Sequence, residues 1–128
     1  MPSLNFTVFI DKVIDGTKPH TIRALREIPV KVGDDLSFFT GMRTKQCRRL
    51  RPNTSCTGAT EILIFSTGRV VVRKGSRFYP ATALDHDQIP ALAKRDGFST
   101  VRDFWNYFLP RIPAGTDRFR GQLIEWMP

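Results

Sequence analysis

The chain has 128 residues, of which 41% are hydrophobic; that is enough for one folded domain with its own core and too little for two domains of ordinary size. This composition excludes global disorder, and no apolar run approaches the roughly 20 residues of a membrane span. The net charge of +8 favours a polyanion such as RNA or DNA as partner, rather than an anionic membrane surface.

The first predicted element is an amphipathic helix over residues 5–15. Gly16 closes this helix, and Pro19 prevents its continuation. Its apolar residues recur at helical spacing: Phe6, Phe9, Ile10, Val13 and Ile14. Residues 21–23 are then expected to be extended, with Ile22 in the core. Because side chains alternate along a strand, Thr21 and Arg23 would share the opposite face.

The middle of the chain predicts turns and strands. Gly33 and Asp34 form a turn before a strand over 36–40. Residues 41–57 are polar and strongly basic, which predicts a long loop, or a loop with a short strand over 47–50. Residues 61–65 and 69–73 predict a hairpin across 66–68, and residues 76–79 a further short strand.

The last part of the chain predicts two helices and a strand. A helix over 86–95 stops at Gly97, and Ser99 or Thr100 caps a second helix that ends at Pro110 and Pro113. The inner face of the second helix is predicted to contain Val101, Phe104, Trp105 and Phe108. A closing strand follows over 119–126. This order predicts an α+β fold, a small partly open β-barrel with helices packed against it.

Two polar segments are candidates for function. The run GTKPHTIR places Lys18, Thr21 and Arg23 within six positions, and such a cluster can hold a phosphate or a carbonyl by charge-assisted bonds. An ordinary helix-to-strand turn with solvated charges is the alternative. Residues 43–51 carry five cations and no acid: Arg43, Lys45, Arg48, Arg49 and Arg51. They suit a phosphate backbone, and a solvated loop is the alternative. Tyr79 is the aromatic residue expected to stack on a base.

Several motifs together resemble the ASCH domain of the PUA-like group. They are GxKxxTIR at residues 16–23, KVGDDL at 31–36, and AKRDGFS at 93–99. The stretch TGMRTKQC at 40–47 is similar to phage-associated members. The resemblance covers roughly residues 5–126. It implies a single ASCH domain over 1–128 with a basic loop insertion at about 41–58.

The resemblance implies a PUA-like barrel with an RNA-binding cleft between barrel and helices. Some small bacterial members are amidohydrolases that remove the acetyl group from N4-acetylcytidine, with a lysine, a threonine and an acidic residue as the site. By motif match these fall on Lys18, Thr21 and Asp96, where those enzymes carry the longer glutamate. The lysine would take the threonine proton, the threonine would attack the amide carbonyl, and the carboxylate would orient groups or relay protons.

Three functions are therefore open. We expect a module that binds RNA or a nucleotide in a basic cleft; a small amidohydrolase and an accessory protein whose basic loop meets a protein partner are the alternatives. No cofactor is expected. The possible zinc ligands are two cysteines and two histidines: Cys47, Cys56, His20 and His86. Their positions do not have the spacing of a zinc site. Neither a signal peptide nor a need for disulfides is apparent, which favours the cytoplasm.

Overall fold

The computed structural model describes residues 2–74 and 82–127. The described chain is a sheet-dominated α+β domain, which confirms the predicted class. In chain order its elements are β1 (Ser3–Asn5), α1 (Ile10–Asp15), β2 (His20–Ala24), β3 (Asp35–Thr40), β4 (Arg48–Phe65), β5 (Val70–Lys74), β6 (Thr82–Ala83), α2 (Gln88–Arg95), α3 (Val101–Phe108) and β7 (Arg118–Trp126), with a 3-10 turn at Leu109–Arg111.

Strand β4 organises the sheet because its two halves pair with different neighbours. The first half is antiparallel to β3, and β1 pairs with the other edge of β3 in parallel. The second half lies between β7 and β5; β2 extends the sheet beyond β7, and β6 extends it beyond β5. Within the described residues no pairing closes this sheet, so the predicted barrel is not confirmed.

Apolar side chains form two cores on opposite sides of the sheet. The first packs α2 and α3 against the second half of the sheet and includes Ile62, Ile64, Phe98, Phe104, Phe108 and Leu123. The second lies between α1, β1, β3 and the start of β4 and includes Leu4, Phe6, Val13, Phe38, Ile124 and Trp126. The neighbours Leu123 and Ile124 on β7 belong to different cores because successive side chains of a strand point to opposite faces.

The prediction of one helix over residues 5–15 is wrong in its first half. Residues 3–5 form β1, and the Phe6 N–H donates to the Phe39 carbonyl at 2.8 Å, which continues the pairing with β3. Phe9 then adopts a left-handed conformation, with φ of 59°. The helix α1 therefore begins only at Ile10. Its predicted end at Gly16 is confirmed, with the left-handed φ of 84° that glycine adopts without steric cost.

The prediction of a long loop over residues 41–57 is wrong, and the alternative with a short strand over 47–50 is closer, because β4 begins at Arg48. Three side-chain contacts explain the strand. Leu50 is buried in the second core. The guanidinium of Arg49 lies 4.9 Å from the ring centre of Phe39, and that of Arg51 lies 5.2 Å from the ring centre of Phe38. Three of the five predicted loop cations are therefore strand residues, and only 41–47 form a turn.

The other predicted elements are close to those observed. The turn before β3, the hairpin between β4 and β5, both later helices and the closing strand are confirmed, with boundaries shifted by one or two residues. Thr100 is the cap of α3, and its hydroxyl accepts from the Asp103 N–H at 3.1 Å. The predicted strand over 76–79, including Tyr79, lies outside the described residues. Among the described residues, no helix has the length and apolar character needed to span a membrane.

Candidate functional site

A small pocket lies beside β2, under the connection from β1 to α1. Its polar lining includes Lys18, Thr21, Arg23 and Asp96, which the sequence analysis singled out from two separate motifs. Aromatic and polar side chains from the neighbouring segments complete the walls: Asn5, Phe6, Phe9, Phe98, Tyr107 and Phe108. The enclosed volume is about 40 Å³, room for roughly three water molecules. The pocket can thus enclose one small group of a ligand, while the rest would lie at its mouth.

Lys18 and Asp96 form a buried ion pair in this pocket. Lys18 Nζ lies 2.8 Å from Asp96 Oδ1 and also donates to the Asp96 backbone carbonyl. Lys18 follows the turn after α1, and Asp96 directly follows α2. Both residues are almost completely buried, at 3% and 4% exposure. The structure thus joins two residues that are far apart in the sequence, at the point predicted from the motifs.

Gly97 allows the two segments to approach so closely. Its φ of +110° is strained for residues with a side chain, and a Cβ here would lie 2.9 Å from the Phe9 ring. The Phe9 ring also meets the Phe98 ring edge-on, at 5.0 Å between centres. Lys12 from α1 donates to the Gly97 carbonyl. These contacts hold the residues around Asp96 against the start of α1 and so fix the carboxylate beside Lys18.

Burial moves the pKa values of the pair toward each other. Burial raises the pKa of Asp96 to about 6, against the opposing charges of Lys18 and Arg23. Burial also lowers the pKa of Lys18, against the opposing charge of Asp96. The Asp96 carboxyl is ionised at neutral pH, since its pKa lies below 7. Moving a proton from the lysine to the carboxylate nevertheless costs less here than in water.

Thr21 and Arg23 occupy the strand face next to this pair. Both line the pocket, and the Arg23 Nε donates to Thr21 Oγ1 at 3.2 Å. The Arg23 guanidinium also lies 4.6 Å from the centre of the Phe6 ring. Because Thr21 Oγ1 accepts from a cation, negative charge that develops on this oxygen would be stabilised. The hydroxyl proton remains available to a ligand.

His20 is a site residue that the sequence analysis did not identify. It is fully buried, and its Nε2 lies 3.4 Å from Asp96 Oδ1. Burial, together with the charges of Lys18 and Arg95, lowers the pKa of His20 to about 3, so the ring is neutral at physiological pH. The sequence could have indicated that His20 is buried. Side chains alternate along β2, so His20 lies on the same face as the core residue Ile22.

The basic segment, residues 43–51, lies outside the pocket but begins close to it. Asn5 lines the pocket, and its Oδ1 accepts from the Met42 N–H at 3.0 Å. Within the described part of the chain, none of the five cations of the segment forms an ion pair. Four of them are exposed and Arg51 is half-buried. A ligand seated at the pocket mouth would thus find unpaired positive charge nearby.

The cysteines and histidines do not converge in the described structure. Cys47 is exposed, whereas Cys56 is buried and lies 3.2 Å from the Gly58 carbonyl. Burial raises the pKa of the Cys56 thiol, which disfavours the thiolate that a metal ion requires. Residues 2–74 and 82–127 contain no group of three or more His, Cys, Asp or Glu side chains that could hold a metal ion. The absence of a metal stays a prediction.

Comparisons with protein-family models, curated proteins and solved structures find no match to this chain. The grounds for a functional proposal are therefore the motifs and the geometry of the pocket.

Proposed function

We propose that this chain is an ASCH-type domain with a PUA-like fold, and that it binds RNA or a nucleotide at the pocket of Lys18, Thr21, Arg23 and Asp96. One observation carries the proposal: Lys18, Thr21 and Arg23 of the first motif and the acidic residue after α2 meet in one partly open pocket. A structural ion pair alone would not require a cavity beside it. The polar groups here face space that a ligand can enter.

The chemistry of the pocket suits a polar group attached to a planar ring. Lys18 and Arg23 offer N–H donors, and Asp96 offers carboxylate oxygens, in a buried setting where such bonds are stronger than in water. The rings of Phe9 and Tyr107 belong to the walls and give a base an aromatic surface. The pocket thus combines charged and polar side chains with aromatic ones, so a ligand there would be held both by hydrogen bonds and by ring contacts.

The basic segment would bind the phosphate backbone in this proposal. Five cations on five phosphates of a single strand predict a slope of about −3.5 for log affinity against log salt concentration. Replacing Arg48, Arg49 and Arg51 together by glutamine should flatten this slope by about two units, because three fewer counterions are released. The measurement is binding of a labelled single-stranded RNA at several salt concentrations.

A matched control for that variant replaces Lys31, Lys94 and Arg102 by glutamine. These three cations are exposed, lie elsewhere, and their loss changes the net charge equally. The control should retain the steep slope. If both triple variants flatten the slope alike, RNA is attracted by net charge alone and the basic segment is not the contact surface.

A second candidate, an amidohydrolase acting on N4-acetylcytidine, is supported by the displaced pKa values of Lys18 and Asp96. A neutral Lys18 amine would take the proton of the Thr21 hydroxyl, whose oxygen would then bond to the acetyl carbon. The amine of cytidine would leave with a proton from Lys18, and water would release acetate from Thr21. Asp96 would orient Lys18 or relay protons. Arg23 already donates to the threonine oxygen on which charge would develop.

Two single variants and their combination separate these functions. If the pocket only binds, Lys18→Ala should weaken RNA binding by about 1.5–3 kcal/mol and Thr21→Val by about 0.5–1.5 kcal/mol, because charge-assisted hydrogen bonds are stronger than neutral ones. The losses should be nearly additive. If the pocket is catalytic, either change should abolish acetate release from N4-acetylcytidine, and the double variant should be little worse.

The same series can reject both functions. Binding and acetate release are measured for the parent and all three variants, with folding checked by thermal denaturation. Unchanged RNA binding in every variant, together with no acetate release from the parent, would show that the pocket does not act on RNA or nucleosides. An accessory role that meets a protein partner would then be favoured.

A further inference from the structure

One buried polar side chain beside the pocket is used by neither proposed function. His20 is fully buried at the start of β2, and both of its ring nitrogens lack a hydrogen-bond partner among the described residues. A buried polar atom without a partner costs folding free energy that an apolar side chain of similar size does not. The presence of an imidazole here therefore points to a use for its N–H or its lone pair.

The position of the ring indicates which group it serves. His20 Nε2 lies 3.4 Å from Asp96 Oδ1, the oxygen that accepts from Lys18 Nζ at 2.8 Å. A shift of roughly 0.5 Å, together with a reorientation of the ring, would bring Nε2 into ordinary hydrogen-bond geometry. Lys18 and Arg95 are the cations that act on the ring, and together with burial they keep it neutral. A neutral ring carries one N–H, and only Nε2 can direct it at the carboxylate.

We propose that His20 is a positioning residue that takes over the Asp96 carboxylate when Lys18 turns toward a ligand. The inference rests on the proposed function only in placing the ligand at Lys18. In the free protein, Lys18 Nζ donates twice to Asp96, to Oδ1 and to the backbone carbonyl. Redirecting the ammonium to a ligand would leave Oδ1 buried without a donor, which is strongly unfavourable.

Two other groups near Asp96, Arg23 and the Asp96 backbone N–H, already have hydrogen-bond partners and do not replace Lys18 as donor to the carboxylate. Arg23 acts on the carboxylate through its charge, but its Nε donates to Thr21 Oγ1, and no hydrogen bond joins Arg23 to Asp96 in the described structure. The Asp96 backbone N–H donates to the Leu92 carbonyl. His20 Nε2, in contrast, lies 3.4 Å from Oδ1 and has no competing partner among the described residues.

The test uses the free protein with Lys18→Met as a stand-in for the state in which the lysine has left the carboxylate. The pKa of Asp96 is followed by carboxyl carbon NMR in this background for two matched variants. His20→Gln retains an amide nitrogen near the position of Nε2, and His20→Asn retains one near Nδ1. We expect the pKa of Asp96 to be about one unit higher with asparagine than with glutamine, because only glutamine can donate to the carboxylate.

With Lys18 present, the difference in the pKa of Asp96 between the His20→Asn and His20→Gln variants should be smaller. Nitrogen NMR of the unaltered protein should show the proton of His20 on Nε2, and this measurement decides the matter if Lys18→Met does not fold. A proton on Nδ1, or equal Asp96 pKa values in the two variants, would overturn the inference. Because no ligand is added, failure to bind RNA or to release acetate would leave these results unchanged and would count only against the proposed function.

Discussion

Replacing Lys18 by methionine is expected to lower the free energy of unfolding by about 3–5 kcal/mol at pH 8, the usual cost of removing one partner from a buried ion pair. Methionine preserves the length of the side chain, so little packing is lost. The loss arises because Asp96 is 4% exposed and, without its cation, would either carry an unpaired buried charge or have to take up a proton. Denaturant unfolding at pH 8 measures the effect.

The double variant Lys18→Met/Asp96→Leu should recover most of that loss, because it leaves no unpaired charge. Lowering the pH should also help the single variant. The pKa of Asp96 is already raised to about 6 in the folded chain, and it would rise further without Lys18, so the folded state takes up a proton before the unfolded state does. A double variant no more stable than Lys18→Met would show that the ion pair is not the source of the loss.

Replacing His20 by phenylalanine is expected to remove a large part of the sensitivity of the fold to acid. The pKa of His20 is about 3 when folded and near its ordinary 6.5 when unfolded. Between those values the unfolded state binds the extra proton, so stability falls as the pH falls. The slope approaches about 1.4 kcal/mol per pH unit well below pH 6.5, and the loss between pH 6.5 and 4.5 sums to about 2.3 kcal/mol.

The His20→Phe variant should be spared that loss, whereas the opposing contribution of Asp96, whose raised pKa favours the folded state as the pH falls, remains in both proteins. His86→Phe is the matched control, because the side chain of His86 is exposed to solvent in the folded chain as it is in the unfolded one. The measurement is the free energy of unfolding at several pH values from 7 to 4.5. Parallel curves for the unaltered protein and His20→Phe would show that the buried histidine is not the acid-sensitive group.

The sequence predicted those elements whose ends are marked by glycine, proline or a capping residue. The left-handed φ of Gly16 and the Thr100 cap are local effects, readable without knowing the rest of the fold. The prediction of a single helix over 5–15 is wrong because the apolar residues at helical spacing belong to two different structures, the segment paired with β3 and the helix α1. Phe6 belongs to the second core through pairing with β3, a contact between distant residues that a local period does not contain.

The candidate site was predictable only in part, for a similar reason. The motif placed Thr21 and Arg23 on one strand face, and the resemblance suggested Asp96 as a partner of Lys18. Strand β4 was predicted only at its two ends, over 47–50 as an alternative and over 61–65, because the polar, basic residues between them indicated a loop. The pKa displacements depend on burial from several elements at once, and a single sequence does not supply that information.

The place of β7 in the sheet has a consequence for folding. β7 lies between β2 and β4, and His20 pairs with Glu125 although the two are separated by most of the chain. Such distant pairing slows folding, because loop entropy is lost before the contacts form. During synthesis β7 leaves the ribosome after every other element described here. Until then β2 lacks its observed neighbour, and Ile22 and Ile62 lack the strand between them. The nascent chain thus exposes strand edges that can pair with other chains.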